Sequence, residues 1–227
     1  PALEALFTID EETGMTGAMG LKGGVLKGDI LLNLDTEEDD EIGVGCAGGV
    51  DITATRTYQE EAVAAGKTGF RLTVNGLQGG HSGMDIIKGL GNANKFMNRF
   101  LLDGFENYGL QIAEINGGGL RNAIPRESVA VFCIDEIHTE AFKADIAEFT
   151  ETLKEEYKTL EPNLKVTLEE APLPEKVMNL GVQEGLLKAL QAAWNGVYRM
   201  SPDIEGLVET SNNVARVVVK DGEIEVL

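Results

Sequence analysis

Cationic residues are scarce in this 227-residue chain: 19 Lys and Arg stand against 38 Asp and Glu, a formal charge of -19. Such a surface repels phosphate backbones and anionic lipid, which argues against nucleic acid and membrane as partners. It suits metal ions or cationic ligands, and it serves plain solubility equally well. Cysteine is just as rare. Cys46 and Cys133 are too few for a disulfide framework and fit a reducing compartment, so a cytoplasmic location is expected. No run of 18 apolar residues occurs, and the first residues show no basic-then-apolar leader, so neither a membrane span nor secretion is indicated. Histidine occurs only twice, at His81 and His138. The hydrophobic share of 43% is ordinary for a globular protein, and the length suits one sizeable domain, or one and a part.

What is present begins with acids placed after apolar runs. Leu6-Phe7-Thr8-Ile9 leads into Asp10-Glu11-Glu12, and after a Gly-rich, helical-looking segment Leu31-Leu32-Asn33-Leu34 leads into Asp35. This pattern predicts a βαβ unit with acids at the strand ends. In a parallel sheet ligands gather outside the carboxyl ends of the strands, so Glu11, Glu12 and Asp35 are expected in one crevice. Clustered carboxylates repel unless a cation neutralises them, and a divalent ion such as Zn²⁺ or Mn²⁺ is the economical partner. Adjacent Glu side chains diverge, so one holds the metal while the other is placed as general base toward a water acidified to a pKa of about 7. A solvated loop with acids favoured by a helix N-terminus explains the same spacing.

The run Thr8-Ile9-Asp10-Glu11-Glu12-Thr13-Gly14-Met15-Thr16-Gly17-Ala18, with Asp35 following 23 residues beyond Glu12, resembles the M20 family of co-catalytic zinc metallopeptidases. Within that family it is most similar to the aminoacyl-histidine dipeptidase branch. Gly45-Cys46-Ala47-Gly48-Gly49, Gly79-Gly80-His81-Ser82-Gly83 and Arg121-Asn122-Ala123-Ile124-Pro125-Arg126-Glu127 carry the likeness through most of the chain. The resemblance implies a two-metal Zn²⁺ site, with Mn²⁺ or Co²⁺ as alternatives. It implies Glu11 as general base, Glu12 as ligand to one metal and Asp35 as ligand to the other. It makes His81 the lid histidine that binds substrate and stabilises the oxyanion, and Asn122 the residue that hydrogen-bonds the terminus of a bound dipeptide. The implied substrate is a dipeptide ending in histidine, and the implied assembly is a homodimer through the lid. Two readings stay open beside it: an M20 relative of other specificity, such as a tripeptidase or amide deacylase, and a non-catalytic lid or self-association module.

The chain also departs from the family pattern. M20 enzymes use two metal-binding histidines, one in an upstream His-x-Asp segment, with a bridging Asp; neither His81 nor His138 has such a context, and neither Arg121 nor Arg126 matches the substrate-binding Arg. With Pro1 at one end and a strand-like Ile224-Glu225-Val226-Leu227 at the other, the chain is expected to be a piece of a longer protein with an incomplete metal site, inactive alone.

The expected fold class is an α/β remnant of a zinc-peptidase catalytic domain at 1–49 and an α+β lid at 50–227, whose first half is about 50–172 and whose incomplete second half is about 173–227. The acid run Glu37 to Glu41 lacks the alternation and central Gly of a calcium loop and reads as a solvated turn. Gly43 to Gly48 matches G-x-G-x-x-G but precedes the strand-like Ile52 to Thr57 instead of opening a helix, so it reads as a hinge. Strands are expected at Ile52–Thr57, Thr68–Asn75, Gln111–Asn116, Ser128–Ile134 and Leu164–Leu168, with helices at Met84–Leu102 and from a Thr139 N-cap to about Leu160. Together these make a βαββαβ layer, one antiparallel sheet with helices on a single face. Helix Val182–Trp194 and strands Leu207–Asn213, Ala215–Lys220 and Glu223–Leu227 begin a second half. From the residues alone, Ser82 is a helix cap beside a loop His81, Asn122 a turn former after Gly117-Gly118-Gly119, and Arg121 and Arg126 exposed partners of acids. His138 is expected at the surface, and Glu209 to Asn213 as a solvated strand end.

Overall fold

The computed structural model describes residues 3–35, 40, 42 and 45–227, without the side chains of Glu12 and Thr13. Glu37, Glu38, Asp39 and Glu41 of the acid run, and Gly43 and Val44 of the glycine-rich hinge, lie outside the described residues, and so do those two readings. The chain divides into two compact units, Pro1–Val50 and Asp51–Leu227.

The first unit contains two helical turns, α1 (Glu11–Gly14) and α2 (Thr16–Met19). Asp10 and Met15 flank α1 in the left-handed region, with φ of 65° and 54°. Asp10 holds the turn: its carbonyl accepts from Met15 N at 2.6 Å and its Oδ2 from Thr16 Oγ1 at 2.7 Å. Among the described residues of this unit there is no strand, which corrects the expected βαβ pattern. A strand exists only by hydrogen-bonding to a neighbour, and a parallel one needs both faces covered. Leu6–Ile9 and Leu31–Leu34 have neither here, with Phe7 91% and Leu34 83% exposed.

The second unit is built on an antiparallel sheet. Its centre is β3 (Lys67–Asn75), β5 (Gln111–Gly117), β7 (Ser128–Asp135) and β8 (Lys165–Ala171), which pair in the order β5-β7-β3-β8. Phe70, Leu72 and Val74 alternate along β3, and Ala130, Phe132 and Ile134 along β7, all fully buried. That period of two turns one face toward the helices α3 (Ala93–Tyr108) and α4 (Thr139–Tyr157), which bury Phe96, Phe100, Phe142 and Leu153 against it. Rings of Phe70, Phe132 and Phe142 meet with centroids 5.7 to 6.1 Å apart. The βαββαβ layer is therefore realised, with element ends shifted by a few residues.

The later residues extend this sheet. A hairpin of β12 (Val217–Lys220) and β13 (Glu223–Val226) turns through Asp221-Gly222, both at positive φ, and pairs with β5 on one side and β1 (Ala54–Thr57) on the other. Helix α5 (Leu180–Ala192) packs Val182, Leu186, Leu187 and Leu190 into the same core. Its buried Gln183 accepts from Ile112 N and donates to Leu110 O, both at 2.7 Å, locking α5 to the start of β5. Smaller pairs complete the unit: β2 (Glu60–Ala62) with β9 (Lys176–Met178), β4 (Gly80–His81) with β6 (Ala123–Ile124), and β10 (Gly196–Met200) with β11 (Val208–Asn212).

Two helix starts need correction. The segment expected as one helix from Met84 is a 3-10 turn at Ile86–Lys88, then a break at the left-handed Gly89, then α3 from Ala93. Asn92 sets that start, its Oδ1 accepting from Asn94 N at 3.0 Å and Lys95 N at 3.1 Å. Thr139 is not an N-cap. It already has helical backbone, the capping position falls on His138, and the Thr139 hydroxyl is buried without a partner. Among the described residues no helix is long and apolar enough to cross a membrane.

Candidate active-site histidine and its supports

The short β4–β6 ladder brings together two residues that lie 41 apart in sequence. His81 pairs with Ala123, Gly80 with Ile124, and Ser82 N donates to Asn122 O at 2.7 Å, so His81 and Asn122 share one edge. Close approach here requires glycine: at Gly79, φ +65°, a Cβ would meet Arg126 Cγ at 2.2 Å.

The exposed His81 is tied at nearly every polar atom. Its backbone N donates to Asp85 Oδ2 at 2.7 Å, and its carbonyl accepts from Asp85 N at 2.9 Å. Its ring Nδ1 accepts from Gly83 N at 3.1 Å and Met84 N at 3.3 Å. A nitrogen that accepts from amides carries no proton, so the neutral ring holds its hydrogen on Nε2. Asp85 Oδ1 in turn sits 2.6 Å from Lys88 Nζ. Lys88 first, and then the His81 amide, hold the Asp85 carboxyl below the usual carboxylate range. Ser82 does not cap the following turn; Asp85 occupies that position.

A second carboxylate grips the base of this loop. Glu161, 2% exposed, accepts from Gln78 N at 2.8 Å and Gly91 N at 2.7 Å, the two ends of the segment that carries His81. Asn92 then links the loop to the rest of the unit, its Nδ2 donating to Asn195 Oδ1 at 2.8 Å, Val214 O at 3.1 Å and Asn213 Oδ1 at 3.2 Å. Asn213 donates to Ala123 O at 2.8 Å, bracing the strand beside Asn122. None of these supports was expected from sequence. An Asn directly before an apolar helical run is a capping signal that would have found Asn92. For Glu161 no local signal exists, since its partners lie 70 and 83 residues away.

The remaining expected residues are placed as follows. Glu11 is the exposed first residue of α1, and the side chain of Glu12 lies outside the described residues. Asp35 is exposed, its backbone N donating to Asn33 Oδ1 at 3.1 Å. Carboxylate oxygens are apt donors for Zn²⁺ or Mn²⁺, but among the described residues no group of three or more His, Cys, Asp or Glu stands close enough to hold a metal ion. A complete metal site is thus not formed by the described residues. Arg121 donates to Thr53 Oγ1 at 2.9 Å and lies 3.8 Å from Asp51, an exposed pair. His138 is exposed, its ring 6.0 Å from that of Tyr108. Cys133 is fully buried on β7, which pushes its thiol up to about 11, and Cys46 is exposed; both are free.

Three matches to known proteins bear on this geometry. Residues 66–161 match the M20 peptidase dimerisation domain. The chain is 43% identical over 224 residues to the cytosol non-specific dipeptidase of Escherichia coli (strain K12), an alignment that takes in 99% of this chain and 46% of that protein. The crystal structure of aminoacylhistidine dipeptidase from Vibrio alginolyticus superposes with a TM-score of 0.83 at 43% identity, covering 96% of this chain and 45% of the other. The chain spans about half the length of these relatives.

Proposed function

We propose that this chain, a member of the M20 peptidases with their dimerisation domain at residues 66–161, serves the hydrolysis of dipeptides in the protein to which it belongs. The observation that carries this reading is His81, beside Asn122, with its Nδ1 occupied by two amides and its Nε2–H left to donate. A positioned donor of that kind stabilises the oxyanion of a tetrahedral intermediate, and removing one typically costs on the order of 3 kcal/mol of barrier. Asn122 hydrogen-bonds the terminus of the bound dipeptide. Glu11 takes a proton from the attacking water and delivers it to the leaving amine. Glu12 and Asp35 would each hold one of two divalent ions, Zn²⁺ before Mn²⁺ or Co²⁺, and the ions supply a water acidified to a pKa of about 7. The other ligands come from outside the described residues.

The names of both relatives favour dipeptides, and that of the Vibrio protein favours histidine at the carboxyl end. Residues 1–49 act as part of the catalytic domain and 50–227 as the lid, through which two copies associate. The name of the Escherichia coli relative and the scarcity of cysteine favour a cytoplasmic location. In the full-length protein, Glu11→Ala is expected to abolish metal-dependent hydrolysis of Xaa-His dipeptides while leaving the fold intact. Full activity in that variant refutes the assignment, and a preference for tripeptides or acylated amino acids moves the specificity to another M20 class.

A further inference from the structure

We infer that Asp85 is a positioning residue for His81, fixing both its backbone and its ring so that Nε2–H is the donor it presents. The inference rests on the proposed role of His81 and adds a residue to it. Asp85 binds His81 on two sides, accepting from its N at 2.7 Å through Oδ2 and donating to its carbonyl at 2.9 Å through its own N. That closes the five residues from 81 to 85 into a single turn. The turn in turn aims Gly83 N and Met84 N at Nδ1, at 3.1 and 3.3 Å. Without the carboxylate, the His81 amide loses its acceptor, the turn opens and the two ring bonds go with it.

Space around the carboxylate is matched to this task. At Gly80 a Cβ would meet Asp85 Oδ2 at 2.6 Å, so only glycine lets the side chain lie against the strand. Lys88 holds the other oxygen at 2.6 Å, leaving Oδ2 directed at the amide. An aspartate fits here because its short side chain reaches back four residues with both its backbone and its carboxylate engaged.

The test combines kinetics in the full-length protein with ¹⁵N NMR of the imidazoles in the 227-residue chain, which has only two histidines. Asp85→Ala is expected to lower kcat by about 10 to 100-fold with little change in KM, the size of loss that small misplacement of a catalytic group brings. In the NMR experiment the same variant is expected to convert His81 from one Nε2–H tautomer to an averaged pair. Asp85→Asn keeps an acceptor for the His81 amide and is expected to restore both readouts. If Asp85→Ala keeps the tautomer and kcat, or if Asp85→Asn falls as far as Asp85→Ala, the inference is overturned. If instead His81→Ala itself leaves hydrolysis unchanged, the proposed role of His81 fails, and the tautomer readings still decide whether Asp85 sets the ring.

Discussion

The two units carry apolar residues of the same kinds and use them differently. In the second, Phe70, Phe132 and Phe142 are at most 1% exposed; in the first, Leu3, Phe7 and Ile30 are more than 80% exposed and no described residue is buried. The difference is not propensity, since Leu6–Ile9 is as β-prone as Phe70–Val74. It lies in neighbours: β3 has β7 on one side and β8 on the other, with α3 and α4 over its apolar face, whereas Leu6–Ile9 pairs with no described run. An apolar run becomes a strand when other segments satisfy its amides and cover its side chains.

The largest expected effect sharpens that contrast directly. Phe132→Ala removes a ring in contact with Phe70 and Phe142 from a fully buried site, and it is expected to cost about 3 to 5 kcal/mol of unfolding free energy. Phe7→Ala removes the same group from a site 91% exposed and is expected to change stability by less than about 0.5 kcal/mol. Urea denaturation of both variants checks the pair. A large loss at Phe7 would mean that its ring is packed in solution as the rings of the second unit are.

The same division explains what could be read from sequence. The sheet of the second unit was legible because alternation over Phe70–Val74 and Ala130–Ile134 reports burial of one face, and the helix stripe Phe142, Ile146, Leu153 reports the other partner. Likeness to a family gave His81 and Asn122 a role each, but that they share one edge was not legible, because a two-residue ladder between loops leaves no periodic trace. Helix starts failed where a side chain decided them, at Asn92 for α3 and in the absence of a cap at Thr139 for α4. The expected strands of the first unit failed because two apolar runs separated by a Gly-rich segment state what a sheet needs, not whether the neighbours are there.

A second comparison holds the chemistry constant and changes burial. Glu4 Oε2 accepts from Lys27 N at 2.7 Å and Gly28 N at 2.9 Å in the first unit, in the open. Glu161 accepts from two amides at nearly the same distances in the second, but it is 2% exposed. Water replaces the lost acceptor in the first case, whereas in the second the Gly91 amide is buried away from it. Glu161→Ala is therefore expected to destabilise by about 1 to 3 kcal/mol, from one buried and one part-buried amide left without acceptors. Glu4→Ala is expected to stay within about 0.5 kcal/mol. Equal effects in thermal melts would show that burial is not what separates the two clamps. Hydrogen exchange at Gln78 and Gly91 should rise in Glu161→Ala before exchange in β3 does, because the variant frees the base of the loop and leaves the sheet paired.

The smallest expected effect belongs to an exposed pair in the second unit, where neither burial nor a core assists. Arg99 Nη1 and Nη2 meet Glu156 Oε2 and Oε1 at 2.6 and 3.0 Å, and the guanidinium lies 4.8 Å from the Phe149 ring centre. Hydrogen bonding to Arg99 holds the Glu156 carboxyl below its ordinary range. A carboxyl whose folded pKa is lowered contributes stability above its unfolded pKa and loses it as pH falls through the folded value. At neutral pH the contribution is expected to be no more than about 1 kcal/mol, because both groups face solvent and the pair is screened. Melting temperatures of the parent and Glu156→Gln should therefore differ slightly at pH 7 and converge as pH drops below about 4, the ordinary range for a glutamate. Added salt should narrow the gap at pH 7 in the same direction. A gap that persists at low pH would come from a difference that carries no charge and would remove the charge pair from the account.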